Sequence, residues 1–110
     1  MTLRRDGAIA EVRLIRPEGG NPVDPALLAE LRTATASLHD DAGVHVVLLS
    51  AEGDVFASGA DVVSDPGHDG VRCLELMGPP VIAVIEGDVS GAGVALALAC
   101  DIRVAAEAAV

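Results

Sequence analysis

The pattern of hydrophobic and polar positions predicts four short strands. Apolar and charged residues alternate over Ala10–Leu14, which indicates a half-exposed strand. Val44–Leu49 and Val81–Ile85 are nearly all apolar and rich in branched side chains, which is typical of buried parallel strands. Ile102–Ala105 is predicted to start a third core strand.

Helical spacing appears between these strands. Asp24 followed by Pro25 is a favourable helix start, since the aspartate can cap the first turn and proline suits the first helical position. Apolar residues then recur at helical spacing and predict an amphipathic helix to about His39, with its apolar stripe at Leu27, Leu31, Ala34 and Leu38. Further helices are predicted over Val71–Met77 and Ala92–Cys100.

The order of these elements predicts an α/β domain with a parallel core sheet and right-handed crossovers. A loop rich in Gly, Asp and Ser is expected over Ser50–Gly70, and a turn over Gly87–Gly91. We interpret residues 1–110 as a single domain. No terminating element follows the last predicted strand, so we expect a fold that is incomplete at its C-terminus.

Composition and charge narrow the function classes. Apolar residues make up 51% of the chain, enough for a core, although Phe56 is its one aromatic residue. A net charge of −10, with seven Arg and no Lys, argues against nucleic-acid binding and mildly against polyanionic cofactors. Cys73 and Cys100 are expected to be buried thiols in a reducing compartment. We therefore expect a cytoplasmic protein that does not bind membranes.

The segment from Val81 to Asp101 joins a buried strand, a glycine-rich turn and an uncharged helix. The first N–H groups of a helix lack intrahelical acceptors, so the turn at Gly87, Gly91 and Gly93 could stabilise an anion or a developing oxyanion. Glycines also allow helix and strand to pack closely without any ligand. The segment alone is compatible with either role.

A second segment, Phe56–Asp61, follows the preceding core strand. Because parallel strands bring their carboxyl ends to one edge of a sheet, the two loops are expected to meet there. Two backbone N–H donors could then converge on one oxygen, which is the arrangement that acyl-transfer and enolate chemistry requires.

The chain resembles the crotonase superfamily, the enoyl-CoA hydratase/isomerase-like proteins, from about residue 8 to its end. Motifs in family order carry the resemblance: Ile-Arg-Pro-Glu with Asn-Pro-Val, Val-Val-Leu-Leu-Ser-Ala-Glu-Gly, Phe-Ala-Ser-Gly-Ala-Asp, Pro-Pro-Val-Ile-Ala-Val-Ile-Glu-Gly, Ser-Gly-Ala-Gly and Ala-Cys-Asp-Ile-Arg-Val-Ala. It implies a spiral of strand–strand–helix repeats that binds an acyl-CoA thioester. It also implies a homo-oligomer, a trimer or dimer of trimers in the full-length protein.

The resemblance also assigns site residues. It places the oxyanion-stabilising N–H donors at Ala60 and Ala92. Substrate contacts to pantetheine and adenine are implied at Ser58, Ala60, Asp61 and Val62, with Val23 near the adenine. No metal is implied, and no cofactor beyond coenzyme A as part of the substrate.

Four departures from the family pattern bear on the reaction. Alanine replaces the middle glycine at Ala92, and Ala95 stands where hydratases carry their first catalytic glutamate. The second glutamate would lie beyond Val110, and only 18 residues separate Asp61 from Pro80, where relatives carry a longer covering segment. Without a proton-transferring carboxylate, standard hydration is not expected. Isomerase-, decarboxylase- or thioesterase-like activity stays open, as does a non-catalytic binding or assembly module or a truncated fragment.

Other interpretations are less favoured. Metal-site candidates in the acidic loop are better explained as solvated side chains, because Pro66–Gly67 interrupts any fixed face: Asp61, Asp65, His68 and Asp69. Ser58 and Ser90 are nucleophile candidates without a histidine in a comparable loop. Glu86 is interpreted as a surface residue, and His39 as a favourable charge at a helix end. The glycine spacing also suits short-chain dehydrogenases, but the chain has no tyrosine for their reaction.

Overall fold

The computed structural model describes residues 1–16, 20–58, 73–90 and 92–106. Nine elements lie in this part of the chain. In chain order they are β1 (Thr2–Asp6), β2 (Ile9–Leu14), α1 (Pro25–His39), β3 (Val46–Ala51), β4 (Val55–Ala57), β5 (Val81–Ile85), β6 (Asp88–Val89), α2 (Ala92–Leu98) and β7 (Ile102–Ala105).

Five of the strands form the main sheet, in the order β1-β2-β3-β5-β7. β1 and β2 are antiparallel and are joined by a tight turn in which Gly7 has a φ of 60°. All later pairs in this sheet are parallel, with Val12 opposite Leu49 and Leu49 opposite Ala83. The predicted α/β class with a parallel core sheet is therefore confirmed.

One face of this sheet is buried against the helices. Its inward residues form a continuous apolar layer across three strands, made of Ala10, Val12, Leu14, Val47, Leu49, Val81, Ala83 and Ile85. The same core cluster contains Leu27, Leu31 and Leu38, which lie on one side of α1. Helical spacing of the leucines thus places α1 over the sheet, as its sequence pattern predicts.

Capping fixes the beginning of α1. Asp24 has an extended backbone, and its Oδ1 accepts a hydrogen bond of 2.8 Å from the Leu27 N–H. Pro25 occupies the first helical position, where its missing N–H costs no intrahelical bond. His39 lies in the last turn, and its Nδ1 accepts a 3.3 Å hydrogen bond from the Gly78 N–H. The predicted bounds of this helix are confirmed at both ends.

The opposite sheet face, which carries both apolar and charged side chains, and the β7 edge are more exposed. Ile9, Ile102 and Val104 are all at least 44% exposed, and the residues between them are half-buried. β7 pairs with β5 on one side, and no described strand lies on its other side. The strand predicted at Ile102–Ala105 is therefore confirmed; its four side chains are exposed, and among the described strands it lies at the edge of the main sheet.

Several predicted boundaries differ from the structure. β1, β4 and β6 lie in segments for which no strand was predicted, and β3 begins and ends two residues later than expected. α2 ends at Leu98 instead of Cys100, and described helical structure in the 71–77 region covers only residues 73–75. Cys100 is buried as expected, whereas Cys73 is only partly so. In the described part of the chain, no helix combines the length and the apolar character needed to cross a membrane.

Candidate functional site

A small second sheet brings the two predicted site loops together. β4 and β6 pair in parallel, with Val55 opposite Asp88 and Ala57 opposite Val89. Two backbone hydrogen bonds of 3.2 Å extend the contact, from the Asp88 N–H to the Asp54 carbonyl and from the Ser90 N–H to the Ala57 carbonyl. Each strand leads directly into one of the loops that sequence analysis singled out. The ends of these two strands, where the loops begin, therefore lie side by side.

Two glycines permit this close approach. A Cβ added to Gly93 would lie 2.5 Å from the Ala57 carbonyl carbon and closer still to its oxygen. A Cβ on Gly87 would lie 2.7 Å from the Asp54 carbonyl carbon. Real Cβ atoms essentially never come within 3.0 Å of another heavy atom in this way. The glycine-rich turn thus has a packing role that the sequence left as one of two alternatives.

Ser58, a predicted substrate-contact residue, is held by the loop before α1. It forms an isolated parallel bridge with Pro22, and its carbonyl accepts a 2.7 Å hydrogen bond from the Val23 N–H. Its own N–H donates to the Asn21 carbonyl at 3.3 Å, and its hydroxyl donates to the Gly20 carbonyl at 2.7 Å. The structure therefore brings together Ser58 and Val23, two residues that sequence analysis assigned to one ligand.

Asn21 is a residue of this region that sequence analysis missed. Its side chain is fully buried, and its backbone φ is 48°, in the left-handed region that asparagine tolerates better than most residues. The side-chain Oδ1 accepts from the Arg16 N–H at 2.7 Å, and Nδ2 donates to the carbonyls of Glu52 and Val55 at 2.9 and 2.7 Å. The signal available in the sequence was an asparagine next to glycine and proline, which indicates a turn but not burial.

Ala92, the second predicted donor, is the first residue of α2. Backbone N–H groups in the first turn of a helix have no acceptor within that helix. The neighbouring Gly93 N–H donates to the Ser90 carbonyl at 2.9 Å. The other predicted donor, Ala60, and the predicted contacts Asp61 and Val62 lie outside the described residues.

Position 95 of α2, where the family pattern predicts a catalytic glutamate, carries an alanine. Ala95 is half-buried there, and Glu86 is exposed immediately after β5, in agreement with its interpretation as a surface residue. The proposed acidic-loop metal ligands lie outside the described residues. Within the part of the chain that is described, no three His, Cys, Asp or Glu side chains are arranged to hold a metal ion.

An ion pair borders the site on the side of α1. Arg16 Nη1 lies 2.7 Å from Asp24 Oδ2, with both side chains partly exposed. The hydrogen bond from the Leu27 N–H, together with the nearby Arg16 guanidinium, holds the pKa of the Asp24 carboxyl below its ordinary value. The carboxylate is therefore ionised at neutral pH and stabilises both the helix start and the conformation of Arg16.

Two open clefts flank α1 and lie away from these loops. One, of about 470 Å³, is lined by residues that include Met1, Leu3 and Glu30. The other, of about 310 Å³, is lined by residues that include Arg32 and Met77. Neither contains a residue that sequence analysis assigned to the site.

Known proteins resemble this chain in sequence and in fold. The family model described as enoyl-CoA hydratase/isomerase matches residues 4–110. A probable peroxisomal enoyl-CoA hydratase of Arabidopsis thaliana is 34% identical over an alignment of 116 positions, which covers 96% of this chain and 44% of that protein.

Solved structures agree. A probable enoyl-CoA hydratase/isomerase from Mycobacterium abscessus matches with a TM-score of 0.86 and 31% identity, over 98% of this chain and 47% of that one. A probable enoyl-CoA hydratase from Mycobacterium smegmatis matches with a TM-score of 0.88 and 28% identity, over 98% of this chain and 49% of that one. This chain thus spans about half the length of the proteins it matches. The family model, the curated relative and the solved structures agree: the chain belongs to the enoyl-CoA hydratase/isomerase family, within the crotonase superfamily.

Proposed function

We propose that this chain provides the acyl-CoA-binding, oxyanion-stabilising part of an enoyl-CoA hydratase/isomerase-family protein. In this proposal, the thioester oxygen accepts hydrogen bonds from the backbone N–H groups of Ala60 and Ala92. Ser58, Asp61, Val62 and Val23 contact the pantetheine and adenine parts of the ligand. Coenzyme A enters as part of the substrate, and the site uses no metal or separate cofactor.

The observation that supports this proposal is the β4–β6 pair. It joins the two loops through the 3.2 Å hydrogen bond from Ser90 to Ala57, and the absence of a side chain at Gly93 lets α2 begin against β4. Donors held by the backbone of two packed elements need little reorganisation when charge develops on the ligand. Removing one such donor from an enzyme typically lowers kcat by about 10²–10³.

Proton transfer needs an ionisable side chain, and the described chain has none at the position of the first family glutamate. Ala95 occupies the position of the first family glutamate, and a methyl group neither gives nor takes a proton. We therefore propose that standard hydration is not carried out by the described residues. Isomerase-, decarboxylase- or thioesterase-like activity would use the oxyanion donors with a base from elsewhere in the protein.

Ala95 also favours a second candidate function, a binding or assembly module without catalysis. Such a module would bind the thioester through the same backbone donors and release it unchanged. The two candidates differ in turnover, not in binding. A homo-oligomer, a trimer or dimer of trimers, and a cytoplasmic location are further proposals that come with the family.

Thermal unfolding of the chain with and without ligands tests the binding proposal. A ligand that binds only the native state at 100 times its Kd raises the free energy of unfolding by about 2.7 kcal/mol. We expect a saturated acyl-CoA and a short enoyl-CoA to raise Tm, free coenzyme A to raise it less, and NAD to leave it unchanged. A cooperative transition that neither thioester shifts would refute thioester binding, and a shift by NAD would point to the dehydrogenase alternative.

Turnover then separates the two candidate functions. Enoyl-CoA absorbance and chromatography of the products would be followed with stoichiometric protein, so that a slow reaction is seen. Product formation that is lost in Gly93→Ala would support catalysis. Tight binding with no product under these conditions would favour the non-catalytic module.

A further inference from the structure

Buried polar side chains are few in the described part of the chain, and one of them lies next to the proposed thioester site. Besides Asn21, the buried polar residues are Thr35 and Ser50. Thr35 bonds within its own helix, to the carbonyls of Leu31 and Arg32, and Ser50 bonds to Glu11 on the neighbouring strand. Asn21 differs because its one side chain binds backbone groups of three separate residues, Arg16, Glu52 and Val55.

The amide of Asn21 uses its hydrogen-bonding groups on three different backbone positions. Oδ1 accepts from Arg16, while both hydrogens of Nδ2 are directed at carbonyls, those of Glu52 and Val55. Only an uncharged amide offers an acceptor and two donors in this geometry. The bonds tie the end of β2 and the entry to β4 to a single side chain.

The backbone around Asn21 holds the exit of β4. The Asn21 carbonyl accepts from the Ser58 N–H at 3.3 Å, the Gly20 carbonyl accepts from the Ser58 hydroxyl at 2.7 Å, and the Val23 N–H donates to the Ser58 carbonyl at 2.7 Å. Ser58 thus has its N–H, its carbonyl and its hydroxyl bound to the 20–23 segment. The conformation of that segment depends on Asn21, which sits in the left-handed region.

We infer that Asn21 is a positioning residue for thioester binding, an inference that rests on the proposed function. By fixing the 20–23 segment, it fixes Ser58, which precedes the proposed donor Ala60 by two residues in the sequence. Asn21 itself makes no contact with the ligand in this scheme. Its effect is on the strength of the hydrogen bond to the thioester oxygen.

Two substitutions distinguish the hydrogen bonds of the Asn21 amide from the volume that the side chain fills. Asn21→Ala removes the three side-chain bonds. Asn21→Asp keeps the shape of the side chain but points a carboxylate at two carbonyl oxygens in place of the Nδ2 donors, which is repulsive. Gly20→Ala is a milder change that alters the 20–23 segment and leaves the Asn21 amide in place. Its Cβ would lie 3.2 Å from Ser58 Oγ, at a residue whose φ is +71°.

The matched control is Leu38→Ala, a cavity in the core near the C-terminal end of α1. Leu38 is a member of the hydrophobic core cluster, and its apolar side chain forms no hydrogen bond to the 20–23 segment or to Ser58. It reports how much a loss of stability alone changes binding.

The readout is the infrared carbonyl stretch of a bound acyl-CoA whose thioester carbon is ¹³C-labelled, measured alongside Kd. Stronger hydrogen bonds to the thioester oxygen lower this frequency. We expect the frequency to be lowered on binding to the unmodified chain and to Leu38→Ala. Asn21→Ala and Asn21→Asp are expected to lose most of this lowering and to bind at least about tenfold more weakly.

The possible outcomes test thioester binding and the role of Asn21 separately. An unshifted carbonyl band with the unmodified chain would overturn the proposed function, and the role of Asn21 with it. A lowered band that is the same in folded Asn21 variants would overturn the role of Asn21 alone and leave the thioester site intact. If both Asn21 variants fail to unfold cooperatively, Gly20→Ala decides in the same way: a weakened shift supports the inference, and an unchanged shift overturns it.

Discussion

Replacing Gly93 with alanine would place a methyl group against the backbone of β4. The new Cβ would lie 2.5 Å from the Ala57 carbonyl carbon, inside the 3.0 Å that such atoms keep, so α2 and β4 must separate by at least about 0.5 Å. The atoms in the way belong to backbone, which cannot rotate aside as a side chain can. The separation would also weaken the hydrogen bond from the Ser90 N–H to the Ala57 carbonyl.

Two opposing effects determine the size of the change. Overpacking costs typically about 1–3 kcal/mol, and a rigid backbone neighbour places this site at the upper end. Alanine in a helix is favoured over glycine by up to about 1 kcal/mol, which offsets part of the cost. We expect Gly93→Ala to lower the free energy of unfolding by about 2 kcal/mol, or Tm by roughly 10 °C in a domain of this size.

Urea and thermal unfolding followed by circular dichroism measure this difference, with Gly78→Ala as the matched control. A Cβ on Gly78 would make only ordinary contact, 3.5 Å from the His39 carbonyl oxygen. The control is therefore expected to be neutral or to gain up to about 1 kcal/mol through a less flexible unfolded chain. If Gly93→Ala were as stable as Gly78→Ala, the close approach of α2 to β4 would be wrong, and so would the geometry on which the proposed site depends.

Three further changes probe other parts of the fold. Leu31→Ala, at a fully buried position of α1, should lower the free energy of unfolding by about 2–5 kcal/mol in urea denaturation; a loss below about 1 kcal/mol would contradict its place in the core. Asp24→Ala should remove about 1 kcal/mol at pH 7 through the lost helix cap. Because the pKa of Asp24 is lowered by the Leu27 N–H and Arg16, its contribution is complete above 3.8, the ordinary value, and is lost as pH falls through the folded-state pKa. Asp24→Asn should retain the cap but flatten this acid-dependent decrease in stability, whereas an unchanged pH profile would rule out the contribution. Burial, with a smaller effect of Asp101, raises the pKa of Cys100 to about 12, so we expect iodoacetamide at pH 8 to label Cys100 only after unfolding; rapid labelling of the native chain, read by mass spectrometry, would contradict this.

The elements that sequence predicts well are those whose signal is local. Asp24 and Pro25 mark the start of α1 within two residues, and the leucine spacing shows which side packs on the sheet. The branched apolar run of β5 gives both its ends. In each case neighbouring residues contain the information, so no knowledge of the rest of the fold is needed.

The elements that sequence misses depend on distant partners. β1 is a polar segment with all five residues exposed, and it is a strand because β2 lies beside it. β4 and β6 have three and two residues, too few for any periodic pattern, and each is defined by pairing with the other across more than 30 residues. Short strands of this kind become visible only when the loops that contain them are already placed.

The residues of the candidate site also fall into two groups, those that sequence motifs predict and those whose role depends on distant contacts. Family motifs predict Ser58, Val23 and Ala92 as members of one site, and the structure places Ser58 beside Val23. Motifs did not identify Asn21, since its role arises from carbonyl groups at residues 52 and 55 that no local pattern connects to it. The packing role of Gly93 likewise required the position of Ala57.

The order of the strands has a consequence for synthesis of the protein. Among the described strands, each one after β1 that joins the main sheet pairs with a strand that precedes it in the chain: β2 with β1, β3 with β2, β5 with β3 and β7 with β5. β6 likewise joins β4, which comes before it. When the chain emerges from the ribosome N-terminus first, the partner of each new strand of the main sheet after β1 is therefore already present, whereas β4 waits for β6. The main sheet can therefore grow strand by strand during translation, which limits the time that its apolar face spends without the next strand.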